Sequence, residues 1–111
     1  MDFDEYQKLA SRTAQYPFEE KNQILMYLCL GLAGESGEVI EKVKHIIRDK
    51  GGEITDEKRE LLKKEIGDVL WYLSQFAGTL GFSFADVAST NIQKLADRAA
   101  RNVIKSEGDT R

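Results

Sequence analysis

A single proline in 111 residues, Pro17, is the feature that most narrows what this chain can become. Proline breaks helix interiors, so a chain this poor in it leaves long stretches free to be helical. The apolar residues use that freedom. Leu62, Ile66, Val69, Leu73, Phe76 and Leu80 step by four and three, the period of an α-helix, and predict a core-facing stripe. No segment alternates as a half-buried strand would. The first helix is predicted from about Phe3 to Gln15, stopped by Tyr16-Pro17, because the residue before proline is pushed out of the α region. The second runs from about Asn22 to Asp49 and ends at Lys50-Gly51-Gly52, where glycine adopts a left-handed cap cheaply. Thr55 caps a third helix that reaches Leu80, with Gly81 ending it. Ser83, with Asp86 three residues on, starts a fourth carrying Val87, Ala88, Asn91, Leu95 and Arg98 down one side. The tail from Asn102 to Arg111 is polar and reads as irregular. The predicted fold class is all-α, a four-helix bundle forming one domain over residues 1–111.

Size and charge bound what such a bundle does. A domain this small buries only about two-thirds of its unfolded surface, so self-association would add useful burial. Helices two and three, at about 25 residues each, span nearly 40 Å at about 1.5 Å per residue. That is more than one small unit covers, and it predicts a homodimer or homotetramer with the functional site near a subunit interface. The net charge of −3 and pI near 5.2 argue against a nucleic-acid polymer as partner, which would need a basic face. No apolar run approaches the ~20 residues of a membrane span. Met1-Asp2-Phe3-Asp4-Glu5 lacks the basic and apolar regions of a signal peptide, which predicts a soluble, cytoplasmic protein. The lone cysteine, Cys29, lies in the apolar run Ile24–Leu30 and reads as a buried thiol, not a nucleophile.

Two acidic pairs carry the chemistry. Glu35 and Glu38 are three residues apart and therefore neighbours on a helix, and Glu65 and Asp68 repeat the spacing on the next helix. The 26 residues between them let the chain end one helix, turn and return antiparallel. Four facing carboxylates would repel one another unless divalent cations sat between them, and oxygen donors suit Mg²⁺ or Mn²⁺. The same spacing also occurs at Asp2/Glu5, Glu38/Glu41, Glu53/Asp56 and Glu57/Glu60, where a solvated helix face explains it. Position distinguishes the candidate pairs. At about 100° per residue from Leu62, Glu65 and Asp68 flank the apolar stripe instead of opposing it. Glu35 and Glu38 lie among Leu32, Ala33, Val39 and Ile40.

Asn91, Lys94 and Arg98 form a second constellation, one stripe of an amide and two cations beside Leu95, suited to phosphate oxygens. A solvated helix edge with Arg98 paired to an acid is the competing reading, and Arg101, Lys105 and Arg111 would thicken a cationic patch. Gly34 and Gly37 inside the second helix cost about 1 kcal/mol each relative to alanine, which close helix approach or a ligand would offset. Trp71 and Tyr72 follow the second acidic pair and read as packing residues, with base stacking as the alternative. His45, the only histidine, lies four after Glu41 and does not make the Glu-x-x-His pairs of a di-iron bundle.

Gly31-Leu32-Ala33-Gly34-Glu35-Ser36-Gly37-Glu38-Val39, followed by Glu65-Ile66-Gly67-Asp68-Val69-Leu70-Trp71-Tyr72-Leu73, resembles the Glu-x-x-Glu and Glu-x-x-Asp signature of MazG-type nucleotide pyrophosphohydrolases. Asn91-Ile92-Gln93-Lys94-Leu95 with Arg98 resembles that family's Asn-x-x-Lys-Leu-x-x-Arg helix. Glu5-Tyr6-Gln7, Thr13-Ala14-Gln15-Tyr16-Pro17 and the closing Gly108-Asp109-Thr110-Arg111 resemble its short, single-domain bacterial and phage members. The resemblance implies Mg²⁺-dependent hydrolysis of nucleoside or deoxynucleoside triphosphates to monophosphate and pyrophosphate, in nucleotide-pool housekeeping. It implies Glu35, Glu38, Glu65 and Asp68 as metal-holding, catalytic residues and Asn91, Lys94 and Arg98 as substrate contacts. One carboxylate, Glu38 for example, is open to act instead as general base, and the sequence does not assign that role. It also implies dimers or dimers of dimers. The alternative is a non-enzymatic helical interaction module or a nucleotide-binding regulator without turnover.

Overall fold

A computed structural model describes residues 1–49 and 51–101. Four helices account for most of them: α1 (Phe3–Ser11), α2 (Lys21–Asp49), α3 (Asp56–Thr79) and α4 (Phe84–Ala100). Lys50 and the tail from Asn102, with Lys105, Arg111 and the closing Gly108-Asp109-Thr110-Arg111, lie outside the described residues.

Side-chain caps begin three of the helices. Asp2, Thr55 and Ser83 accept from the backbone N–H of Glu5, Lys58 and Asp86 at 2.8, 3.3 and 3.0 Å. Each satisfies a donor that the first helical turn leaves without an intrahelical partner. Past Thr79, Gly81 has φ +84°, which lets Phe82 N–H turn back onto the Ala77 carbonyl at 2.9 Å. α1 stops at Ser11, four residues before the predicted Gln15. Trp71 Nε1 on α3 donates to the Ala10 carbonyl and to Thr13 Oγ1 at 3.2 and 2.9 Å. Thr13 and Ala14 instead make tight i→i−3 turns, so a contact with α3 overrides local helix propensity.

α2 and α3 form the antiparallel hairpin on which the rest is built. Gly31 opposes Tyr72 at one level and Lys42 opposes Glu65 at another. α1 lies across α3, and Gln7 makes three of the hydrogen bonds that fasten it. The Gln7 amide donates to the carbonyls of Ser74 and Phe82, both at 3.1 Å, and accepts from Phe84 N–H at 3.0 Å. Asp4 accepts from Ala85 N–H at 2.9 Å, and Phe3 meets Phe84 edge-on at 5.1 Å. α1 thereby ties the end of α3 to the start of α4. No helix among the described residues is long and apolar enough to cross a membrane.

The core is thin. Leu28, Ile46, Ala77 and Phe84 are the buried apolar residues among those described. The α3 stripe does not point wholly inward as its period predicts. Leu62, Val69 and Phe76 are half-buried, whereas Ile66, Leu73 and Leu80 are exposed. The six alternate as the two positions of a heptad seam, and one line of the seam faces away from α2. Cys29 is exposed, contrary to the expected buried thiol, because it lies on α2 next to Leu28, about 100° around from the residue that faces the core.

Two helical glycines have opposite surroundings. A Cβ on Gly31 would lie inside the Tyr72 ring, 2.5 Å from Cζ and 2.8 Å from Cδ1, so Gly31 is required for the α2–α3 approach. Gly34 and Gly37 have nothing within 4 Å of a built Cβ, so the close helix approach expected there is absent among the described residues. Gly31→Ala is therefore expected to destabilise the fold by roughly 1–3 kcal/mol through overpacking. Gly34→Ala should raise stability by as much as about 1 kcal/mol through helix propensity. Thermal unfolding of the two variants beside the parent checks both signs.

Candidate metal centre

The α2–α3 hairpin brings three of the four signature carboxylates together. Glu35 from α2 and Glu65 and Asp68 from α3 each offer an oxygen within 4.8 Å of the other two. Three-residue spacing places Glu65 and Asp68 on one face of α3, and the antiparallel return of the chain sets them level with Glu35. Glu35 and Glu65 are half-buried and Asp68 is exposed. Burial first, then the neighbouring charges of Asp68, Glu65 and Glu38, push the Glu35 carboxyl above the ordinary glutamate range, opposed by Lys42. Like charges brought this close repel, and a cation between them would relieve that repulsion. All the donors are hard oxygens, so the trio fits Mg²⁺ or Mn²⁺ and does not fit a soft metal.

Glu38 does not join the trio. Its side chain is 58% exposed and pairs at 3.7 Å with Lys42 one turn on, and Lys42 Nζ also lies 3.3 Å from Glu65. Sequence reasoning singled out the four acids and missed this lysine, although its spacing of four from Glu38 is a readable signal.

A wall of aromatic side chains borders the carboxylates. Burial, then Tyr27, then Glu35 and Asp68 push the Tyr72 phenol up. Burial and Asp68 do the same to Tyr6. Tyr27 packs edge-on against Tyr16 and Phe18 at 5.9 and 5.8 Å, so the wall continues into the segment joining α1 to α2. Trp71 meets Tyr72 edge-on at 4.9 Å and directs its Nε1–H to Ala10 and Thr13.

The α4 stripe divides. Asn91 and Lys94 line an open hollow of about 370 Å³ with Phe82, Asp86, Val87 and Thr90, and none of the four carboxylates borders it. Arg98 is buried and is not part of that lining. His45 is exposed on α2, 3.9 Å from Glu41 and outside the trio.

An all-helical chain with three carboxylates gathered across a helical hairpin offers a set of oxygen donors for a divalent cation. Residues 23–103 match the MazG nucleotide pyrophosphohydrolase domain, and the chain belongs to that family. It is also 45% identical, over 114 aligned residues spanning all of both chains, to the Gene 37 protein of Mycobacterium phage L5. No solved structure matches it.

Proposed function

We propose that this protein hydrolyses nucleoside or deoxynucleoside triphosphates to the monophosphate and pyrophosphate, with Mg²⁺ as its metal and Mn²⁺ as a substitute. The observation that carries the reading is the convergence of Glu35, Glu65 and Asp68 in a chain of the MazG family. Mg²⁺ held by these three and Glu38 would neutralise phosphate charge and lower the pKa of the attacking water. If Glu38 instead stays outside that metal set, where its side chain is 58% exposed, it is the candidate to accept that water's proton. Tyr72, packed on Gly31 and beside Glu35 and Asp68, limits solvent on one side of the trio. Within this reading the protein works on the cytoplasmic nucleotide pool.

Asn91, Lys94 and Arg98 are assigned to the substrate. They match the family's third motif, and the Asn91–Lys94 hollow is open. Lys94 is the point charge for a phosphate, whereas Arg98 is buried in the free chain and would offer its fork for two oxygens only once uncovered. Lys94→Ala is expected to lower kcat/KM for the preferred triphosphate roughly 10–100-fold, the worth of one charge-assisted hydrogen bond of about 1.5–3 kcal/mol. Mg²⁺ affinity should change little. Loss of metal binding with unaltered substrate affinity would overturn the assignment.

Association completes the reading. Ile66 and Leu73 on α3 and Leu80 just past its end leave an exposed apolar line that a second copy of the same hairpin would cover. The proposal is a homodimer, or a homotetramer built from it. The function itself is tested by incubating the protein with Mg²⁺ and a panel of ribo- and deoxyribonucleoside triphosphates. Pyrophosphate release from at least one supports it, and binding without product favours a regulatory module instead.

A further inference from the structure

We infer that Lys42 is a resident counter-cation of the acidic site, holding Glu38 outside the carboxylate trio until a divalent cation displaces it. The inference rests on the metal reading above and concerns how the site is kept ready for its ion. Lys42 Nζ lies between two of the four acids, 3.3 Å from Glu65 and 3.7 Å from Glu38. Glu65 belongs to the trio and Glu38 does not, so one ammonium group links the assembled part of the site to its missing member. The spacing of four from Glu38 keeps Lys42 on the same face of α2, and the hairpin brings Glu65 to it from α3.

The geometry also supplies a way out. Ion pairs of this length at partly exposed side chains are weak, on the order of 0–1 kcal/mol in exposed settings. They are easily exchanged for a metal with twice the charge. The lysine stem borders a small hollow of about 130 Å³ lined also by His45, Ile46, Lys58, Leu61 and Leu62, whose three apolar side chains give its methylenes a bed after the head group leaves. Once Lys42 lets go, Glu38 is no longer tethered along its own helix and is free to turn toward the trio.

Calorimetric titration of the whole chain with MgCl₂, in the absence of nucleotide, tests this. Lys42→Gln is expected to bind Mg²⁺ roughly two- to fivefold more tightly than the parent, since the competing pair is gone. Its metal-free melting temperature should be lower, because the acids lose their only partner cation in the α2–α3 seam among the described residues. Lys42→Arg, which keeps the charge, should stay near the parent in both. Lys44→Gln serves as a control, since Lys44 pairs with Glu41 at 2.9 Å, away from the trio. Equal or weaker Mg²⁺ binding by Lys42→Gln would overturn the inference and leave the metal reading standing. A parent protein that took up neither Mg²⁺ nor Mn²⁺ would overturn both.

Discussion

Asp68→Ala and Glu65→Ala are expected to lower pyrophosphate release by about 10²–10³-fold or more while leaving the helices folded. A bound metal acting as Lewis acid is worth several kcal/mol, and each 1.36 kcal/mol is tenfold in rate. Neither side chain holds the fold together. Asp68 is exposed, and Glu65 pairs with Lys42, itself at the site. Loss of one acid also relieves repulsion among the rest. The metal-free protein should therefore melt no lower, and steady-state rates beside circular dichroism melts separate the two effects. Glu35→Gln gives the clearest stability signature. Glu35 titrates above its ordinary value in the folded state, so ionised Glu35 destabilises the fold at neutral pH. That penalty disappears as pH falls through the raised folded value toward the unfolded one, about 4.3. The metal-free variant should thus melt higher than the parent at pH 7 and converge with it near pH 4. Saturating Mg²⁺ should reverse the order at pH 7, since the parent alone keeps the full ligand set.

Leu73→Glu is expected to convert the proposed oligomer to a monomer near 12.6 kDa. Leu73 sits at the centre of the exposed line Ile66, Leu73, Leu80 and is itself 41% exposed in the single chain. A carboxylate there costs little in a free chain and several kcal/mol in a sealed apolar interface, where it must be buried without a partner. Four kcal/mol is about a thousandfold in dissociation constant, enough to empty a micromolar dimer. Light scattering at micromolar concentration reads the change directly. A parent protein that already scattered as a monomer would remove the proposed interface, and a Leu73→Glu oligomer would move it to another face.

How much of this was legible in the sequence depended on the range of the interaction concerned. Thr55 and Ser83 announced their helices because a cap is a contact over three residues. The acidic pairs were legible for the same reason, and antiparallel return of the chain was enough to bring Glu35 to Glu65 and Asp68. The early end of α1 was not legible. It depends on Trp71, 58 residues from Thr13 along the chain. The position of Glu38 was missed because four acids were counted without the cation among them, although Lys42 stood one turn away. The α3 stripe was correct in period and incomplete in direction. A heptad pattern marks a seam but does not say whether the surface across it belongs to the same chain. Gly31 gave no signal different from Gly34, since only the placement of Tyr72 distinguishes them.

The bond that is broken tests the central claim most directly. Phosphorus-31 NMR of a deoxynucleoside triphosphate incubated with the protein and Mg²⁺ distinguishes cleavage between the α- and β-phosphates from loss of the terminal phosphate. The account predicts matched growth of monophosphate and pyrophosphate resonances, abolished by EDTA and by Asp68→Ala. Diphosphate with orthophosphate, or triphosphates left intact across the whole panel while Mg²⁺ is bound, would contradict it.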